Sequence, residues 1–113
     1  MLSTAMAIQV AVVGSGAEWE ASAEEVGRLL AERGCTVVTG IGHARNLAVA
    51  ASGDALIAVG GSYGTIAEMA LGLRLGRPVV ALPGAPTVEG ALAATTPAEA
   101  VELALRDLGQ TPL

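Results

Sequence analysis

The residues in this chain best suited to chemistry are Gly60-Gly61-Ser62-Tyr63-Gly64-Thr65, with Glu68 just after them and Gly42-His43-Ala44-Arg45-Asn46 some way before. Three glycines between an apolar run and a helical one let backbone N–H groups approach an oxyanion without interference from Cβ atoms. The helix behind them adds the positive end of its dipole. Gly60, Gly61, Ser62, Tyr63, Gly64 and Thr65 are therefore candidate phosphate ligands. The competing reading is a tight strand-to-helix turn that holds nothing. Arg45 stands near a helix start, where a cation is unfavourable unless an anion is bound, and its planar fork can grip a phosphate in two places. The plainer reading is a solvated surface arginine. Asn46 beside it is a candidate ligand, although Asn46 and His43 also suit a cap or a polar surface.

Glu68 has two readings of its own. Thr65-Ile66-Ala67-Glu68 is a T-x-x-E pattern, in which the carboxylate reaches back to the Thr65 N–H as a helix cap. Alternatively the carboxylate stands at the rim of a phosphate pocket, where it could stabilise an oxocarbenium-like centre or orient water. Several sharper motifs fail. A Walker A loop needs Lys, and the chain has none. A dinucleotide fingerprint starting at Gly14 and Gly16 needs glycine where Trp19 stands. Gly60-x-Ser62-x-Gly64 matches a nucleophile elbow, but no histidine follows His43 to complete a hydrolase triad.

Short β-branched runs alternate with longer helical ones to position these residues. Strands are predicted at Ile8–Val13, Cys35–Thr39, Ala55–Val59 and Pro78–Leu82, with a short edge strand at Leu92–Thr95. A first helix is expected to start at the capping box Ser22-Ala23-Glu24-Glu25 and stop at Gly34. A second runs from His43 to about Ser52. The third covers Thr65–Leu75 with Ile66, Met69, Ala70 and Leu73 inward. The last opens at Thr96-Pro97-Ala98-Glu99, with Val101, Ala104, Leu105 and Leu108 lining its inner face. This order implies an α/β fold, a three-layer doubly wound parallel sheet of four to five strands in the order 2-1-3-4(-5). The topological switch then lies between the first and third strands. There the Gly14-Ser15-Gly16 turn faces the Gly60–Thr65 loop across one crevice, which makes Gly14, Ser15 and Gly16 candidate ligands as well. Trp19 either covers that crevice, stacks on a base, or packs on the surface.

Composition bounds the rest. At 113 residues the expectation is one domain, 1–113, and the 52% hydrophobic content argues against a disordered chain. The chain has 23 Ala and 15 Gly, no Phe, and only Trp19 and Tyr63 as aromatics, so the core is thin and a homodimer or higher homo-oligomer is expected. Six scattered arginines against eleven acidic residues give a net charge of −5, which leaves no basic stripe for duplex nucleic acid. A single cysteine, Cys35, and a single histidine, His43, exclude an internal disulfide and leave too few ligands for a Cys/His metal site. Met1–Ala7 does not read as a signal peptide, and no stretch suits a membrane span, so a cytoplasmic location is expected.

Gly42-His43-Ala44-Arg45-Asn46, followed by Ala55-Leu56-Ile57-Ala58-Val59-Gly60-Gly61-Ser62-Tyr63-Gly64-Thr65-Ile66-Ala67-Glu68, resembles the Lonely Guy superfamily. This is a Rossmann-like nucleotide-binding group, many members of which were once mislabelled lysine decarboxylases. The branch most similar is the bacterial one that includes molybdenum-cofactor-carrier-like proteins. The resemblance implies a nucleotide-like ligand at the glycine loop, either a nucleotide or the molybdenum cofactor, with no other cofactor required. In its phosphoribohydrolase members, an arginine in a Met-x-x-Arg-Lys motif and the glutamate of the glycine motif are catalytic, and Arg45 and Glu68 match them. Gly42 and Asn46 stand where that motif has Met and Lys, which sets the chain apart from hydrolases of cytokinin-type nucleotides. Members usually carry a further glycine-rich turn, helix and strand after the second strand. Here Thr39-Gly40 runs directly into Ile41-Gly42-His43, so about one βα unit is expected to be missing. The implied role is a binding or carrier protein. The alternative is an N-glycosidic hydrolase of nucleoside 5′-monophosphates using Arg45 and Glu68.

Overall fold

A computed structural model describes residues 7–39 and 43–108, with backbone only for 43–46. The elements are β1 (Gln9–Val13), a single 3-10 turn (Ala17–Trp19), α1 (Glu20–Glu32), β2 (Thr36–Val38), α2 (His43–Ser52), β3 (Ala55–Ala58), α3 (Tyr63–Arg74), β4 (Val79–Ala81), β5 (Leu92–Ala93) and α4 (Pro97–Leu105). The strands form one sheet in the order β2-β1-β3-β4-β5, and every pairing is parallel. This is the doubly wound α/β architecture and strand order that the alternation of elements predicts. Val12 of β1 lies beside Ile57 of β3, so the switch point sits above those two strands.

The central strands are buried on both faces, as a covered parallel sheet requires. Val10, Val12, Ile57 and Val80 face one side, with Val26 and Leu30 of α1 and Val101, Ala104 and Leu105 of α4. Ala11, Val13, Leu56, Ala58 and Val79 face the other, with Val49 and Ala50 of α2 and Met69 of α3. Helix α1 stops as expected: Gly34 N–H donates to Ala31 O and Cys35 N–H to Leu30 O, both at 3.0 Å. Arg77 donates to the carbonyls of Ala51 and Gly53, and so holds the end of α2. No helix among the described residues is long and apolar enough to cross a membrane.

Three local expectations are corrected. Helix α1 does not begin at Ser22. The chain closes a 3-10 turn directly after Gly16, Trp19 N–H donating to Gly16 O at 3.0 Å, and the helix continues from Glu20 with no side-chain cap. Helix α3 begins at Tyr63, so Thr65 already lies in its first turn. The inward face of α3 is Thr65, Glu68, Met69 and Gly72, whereas Ile66 and Ala70 are exposed. Gly72 explains part of this rotation. A Cβ there would stand 2.9 Å from Val79, so only a glycine lets the helix lie this close to the sheet.

Candidate functional site

The site forms where β1 and β3 end. Val59 N–H still donates to Val13 O at 2.9 Å, and the two chains then part, β1 into Gly14-Ser15-Gly16 and β3 into Gly60-Gly61. The crevice is narrow at its base, because a Cβ on Gly14 would stand 2.9 Å from Gly60 O. The structure thus brings together the two glycine turns that the strand order places side by side.

Gly60 and Gly61 adopt φ of 152° and 115°, a region that disfavours residues carrying a Cβ. Each is also pressed by a neighbour. A Cβ on Gly61 would fall 1.9 Å from Thr65 Oγ1, and one on Gly60 would fall 2.2 Å from Trp19 Cδ1. The two glycines swing the chain into α3, whose N-cap residue Ser62 supplies no side-chain hydrogen bond. The first-turn N–H groups of a helix have no partner within the helix, and among the described residues no side chain takes them up. Ser62, Tyr63 and Gly64 are exposed, Tyr63 to 87%. An uncapped, solvent-facing helix start after two glycines is suited to hold an oxyanion.

Behind the loop the expected cap is absent. Thr65 is 4% exposed and Glu68 3%, and neither side chain makes a hydrogen bond among the described residues. Burial pushes the Glu68 carboxyl above its usual range, so it holds a proton more readily than a surface glutamate. Such a group can donate a hydrogen bond or a proton one helical turn from the loop. Its capping role is overturned because α3 starts two residues before Thr65, which carries Glu68 inward instead of back to the helix end. Arg45 and Asn46 have helical backbone in the first turn of α2, and their side chains lie outside the described residues, as does Gly42. Helix α2 packs on α3, so the two helices bearing Arg45 and Glu68 are neighbours. Among the other arginines, Arg28 pairs with Glu25 and Glu32, Arg33 with Glu102, and Arg77 holds α2.

Trp19 neither stands free in solvent nor packs on an ordinary surface. Its indole lies over Gly60 and over Gly84 of the β4–β5 loop, where a Cβ would fall 2.2 Å from Cζ2. The ring therefore bridges the ends of β3 and β4 on the α1 side. Beside it, Gly14, Ser15, Gly16, Trp19, Glu20 and Val59 line a cavity of about 280 Å³. Gly84 and Glu20 were not among the residues expected here. The legible signal for Gly84 was its place just past the end of β4, in line with Gly14 and Gly60.

A model of the SLOG cluster4 family matches residues 35–107, a span that includes Arg45, the Gly60–Thr65 loop and Glu68. The chain belongs to this family. An uncharacterized protein of Archaeoglobus fulgidus is 48% identical to this SLOG cluster4 chain over 65 residues, which cover 58% of this chain and 43% of that protein. The match thus spans less than half of the relative's length. The molybdenum cofactor carrier protein of Chlamydomonas reinhardtii shares the fold with a TM-score of 0.75 at 22% identity, over 91% of this chain and 99% of that one. The molybdenum cofactor binding protein of Rippkaea orientalis does so with a TM-score of 0.73 at 20% identity, over 87% and 95%.

Proposed function

We propose that this SLOG cluster4 protein binds a nucleotide-like small molecule by its phosphate and acts as a binding or carrier protein. The observation that carries the reading is the α3 start. Gly60 and Gly61 at positive φ deliver an uncapped, exposed helix N-terminus to the topological switch, where open α/β sheets take their ligands. The relatives in fold are named for the molybdenum cofactor, so that cofactor is a candidate cargo alongside nucleotides. The buried Thr65 and Glu68, which have no side-chain partner among the described residues, support the same reading, since such polar groups are retained where a ligand uses them. Assembly into a homodimer through α2 and α3 is part of the proposal, because Leu47 and Ile66 expose apolar surface on those helices.

Thermal unfolding with inorganic phosphate and a panel of nucleoside monophosphates tests it. A ligand at a hundred times its Kd adds about 2.7 kcal/mol, a rise of roughly 10 °C or more for a domain of this size. No rise with any of them defeats the proposal. The hydrolase reading is kept because burial raises the Glu68 carboxyl one turn from the loop, as a general acid requires. Release of free base from a monophosphate, abolished in Glu68→Gln while binding persists, selects that reading over the carrier.

A further inference from the structure

The only two aromatic residues of the chain, Trp19 and Tyr63, both stand at the crevice, one lying on Gly60 and the other opening α3. Tyr63 is free in solvent, but Trp19 is held: Gly60 and Gly84 press against its ring atoms and fix the plane of the indole. A fixed indole beside a cavity is a stacking surface whose ordering has already been met by the fold. At about 280 Å³ the cavity is smaller than the roughly 300–1,000 Å³ of sites that enclose a whole ligand, and it suits a single ring system.

Polarity narrows the ring. Among the described residues Glu20 is the one charged residue lining the cavity, and there neither its carboxylate nor the Ser15 hydroxyl makes a hydrogen bond or ion pair. The Glu18 carboxylate lies against Gly16 but does not line the cavity. The Glu20 carboxylate repels phosphate here and leaves it to the α3 start. A carboxylate accepts from paired N–H donors, which a 2-amino-4-oxo purine or pteridine edge presents and adenine does not. This wall of the crevice also lies before the residues matched by the family model, 35–107.

We propose that Trp19 and Glu20 form a subsite for a 2-amino-4-oxo heteroaromatic ring, which stacks on the indole and donates its amino and ring N–H groups to the carboxylate. The subsite rests on the reading of the Gly60–Thr65 loop as a phosphate cradle, and it orients the ligand with its phosphate toward α3 and its ring toward α1. Trp19 is the sole tryptophan, so its emission reports the ring directly. Titrating the full chain with GMP, guanosine, AMP and inorganic phosphate, by fluorescence and calorimetry, tests the subsite. GMP and guanosine quench Trp19, GMP binds about tenfold more tightly than AMP, and Glu20→Gln removes that preference without changing phosphate affinity. Trp19→Phe keeps GMP binding within a few-fold and Trp19→Leu loses it, with circular dichroism confirming that each variant is folded. GMP binding with no change in Trp19 emission and no dependence on Glu20 overturns the subsite and leaves the cradle standing. Quenching by guanosine with no binding of phosphate or GMP leaves the subsite standing and removes the cradle, and no binding by any probe removes both.

Discussion

Helices α3 and α4 carry the same four-residue pattern at their starts, Thr65-Ile66-Ala67-Glu68 and Thr96-Pro97-Ala98-Glu99, and put it to opposite uses. In α4 the chain arrives extended, with Thr96 at φ −134° and ψ 156°, and its hydroxyl accepts from Glu99 N–H at 3.1 Å. Glu99 stays on the surface and accepts from the Thr95 N–H at 2.8 Å, which holds its carboxyl below the usual range. In α3 the chain arrives through two glycines at positive φ and enters the helix two residues early, so the same Thr and Glu turn toward the sheet. What separates them is the backbone before the pattern, not the pattern. One helix start is closed by its own side chains, and the other is left open to solvent.

The largest effect is expected from restoring an ordinary approach to α3. Gly60→Ala places a methyl 2.2 Å from Trp19 Cδ1 at a φ that side chains resist. Strain and overpacking together amount to about 3 kcal/mol, or roughly 15 °C in Tm. Thermal denaturation followed by Trp19 emission checks it, since the indole must leave Gly60. A loss below about 1 kcal/mol means that the ring shifts freely and that the crevice is less firmly built than the geometry indicates.

Next in size is the pair of glutamates, whose effects run in opposite directions with pH. Glu68→Leu removes a buried carboxyl without a partner among the described residues and is expected to stabilise by about 1–2 kcal/mol while weakening function, as substitutions at working sites do. Below its usual value of 4.5 the unfolded carboxyl is protonated too, and Glu68 exerts no ionisation penalty. As pH rises, the unfolded chain releases that proton before the folded one, so stability falls until the folded group also ionises. The advantage of Glu68→Leu therefore widens upward from 4.5. Glu99 contributes in the other sense: its stabilisation is present above 4.5 and is lost as pH falls through the lowered folded value. The deficit of Glu99→Gln therefore narrows in acid. Urea denaturation of both variants across that range decides the matter, and parallel pH profiles for the two would mean that Glu68 is not buried as described.

Much of the fold was legible because its signals are local. The apolar runs at Val10–Val13 and Ala55–Ala58, the stop at Gly34 and the cap at Thr96 each act within a few residues, and right-handed crossovers then leave one strand order. The span His43–Ser52 followed from its own pattern for the same reason. What the pattern misplaced depends on contacts made at long range. Ser22 is a sound cap in isolation, but the chain turns at Gly16 and the helix is under way before it is reached. The inward face of α3 was misjudged because apolar residues were assigned to the core, whereas Gly72 against Val79 and the early start at Tyr63 rotate Ile66 outward and Glu68 inward. The approach of Gly14 to Gly60 could be deduced from strand order. The bracing of Trp19 by Gly84 could not, because it needs the return of the β4–β5 loop.

A smaller effect compares the two threonines directly. Thr96→Val removes the hydroxyl that accepts from Glu99 N–H and is expected to cost about 1 kcal/mol. Thr65→Val, at the equivalent place in α3, replaces a buried hydroxyl without a partner among the described residues by a methyl, and is expected to be neutral or slightly stabilising. Equal losses by chemical denaturation would show that Thr65 caps after all.

The smallest change in stability is the most informative about the ligand. Gly64 lies within the first turn of α3, its φ is not positive, and nothing stands within 4 Å of a Cβ built on it, so the fold places no demand for glycine there. Replacing it with alanine should stabilise the helix by about 0.5–1 kcal/mol. An oxyanion resting on the N–H groups of this turn does place that demand, because the methyl would stand in its approach. Gly64→Ala is thus expected to raise Tm in the free protein while weakening phosphate, and the two readouts separate a requirement of folding from one of binding. If Tm rises and phosphate binds as before, the anion does not lie on this turn, and the open start of α3 would differ from the closed start of α4 for a reason unconnected with phosphate.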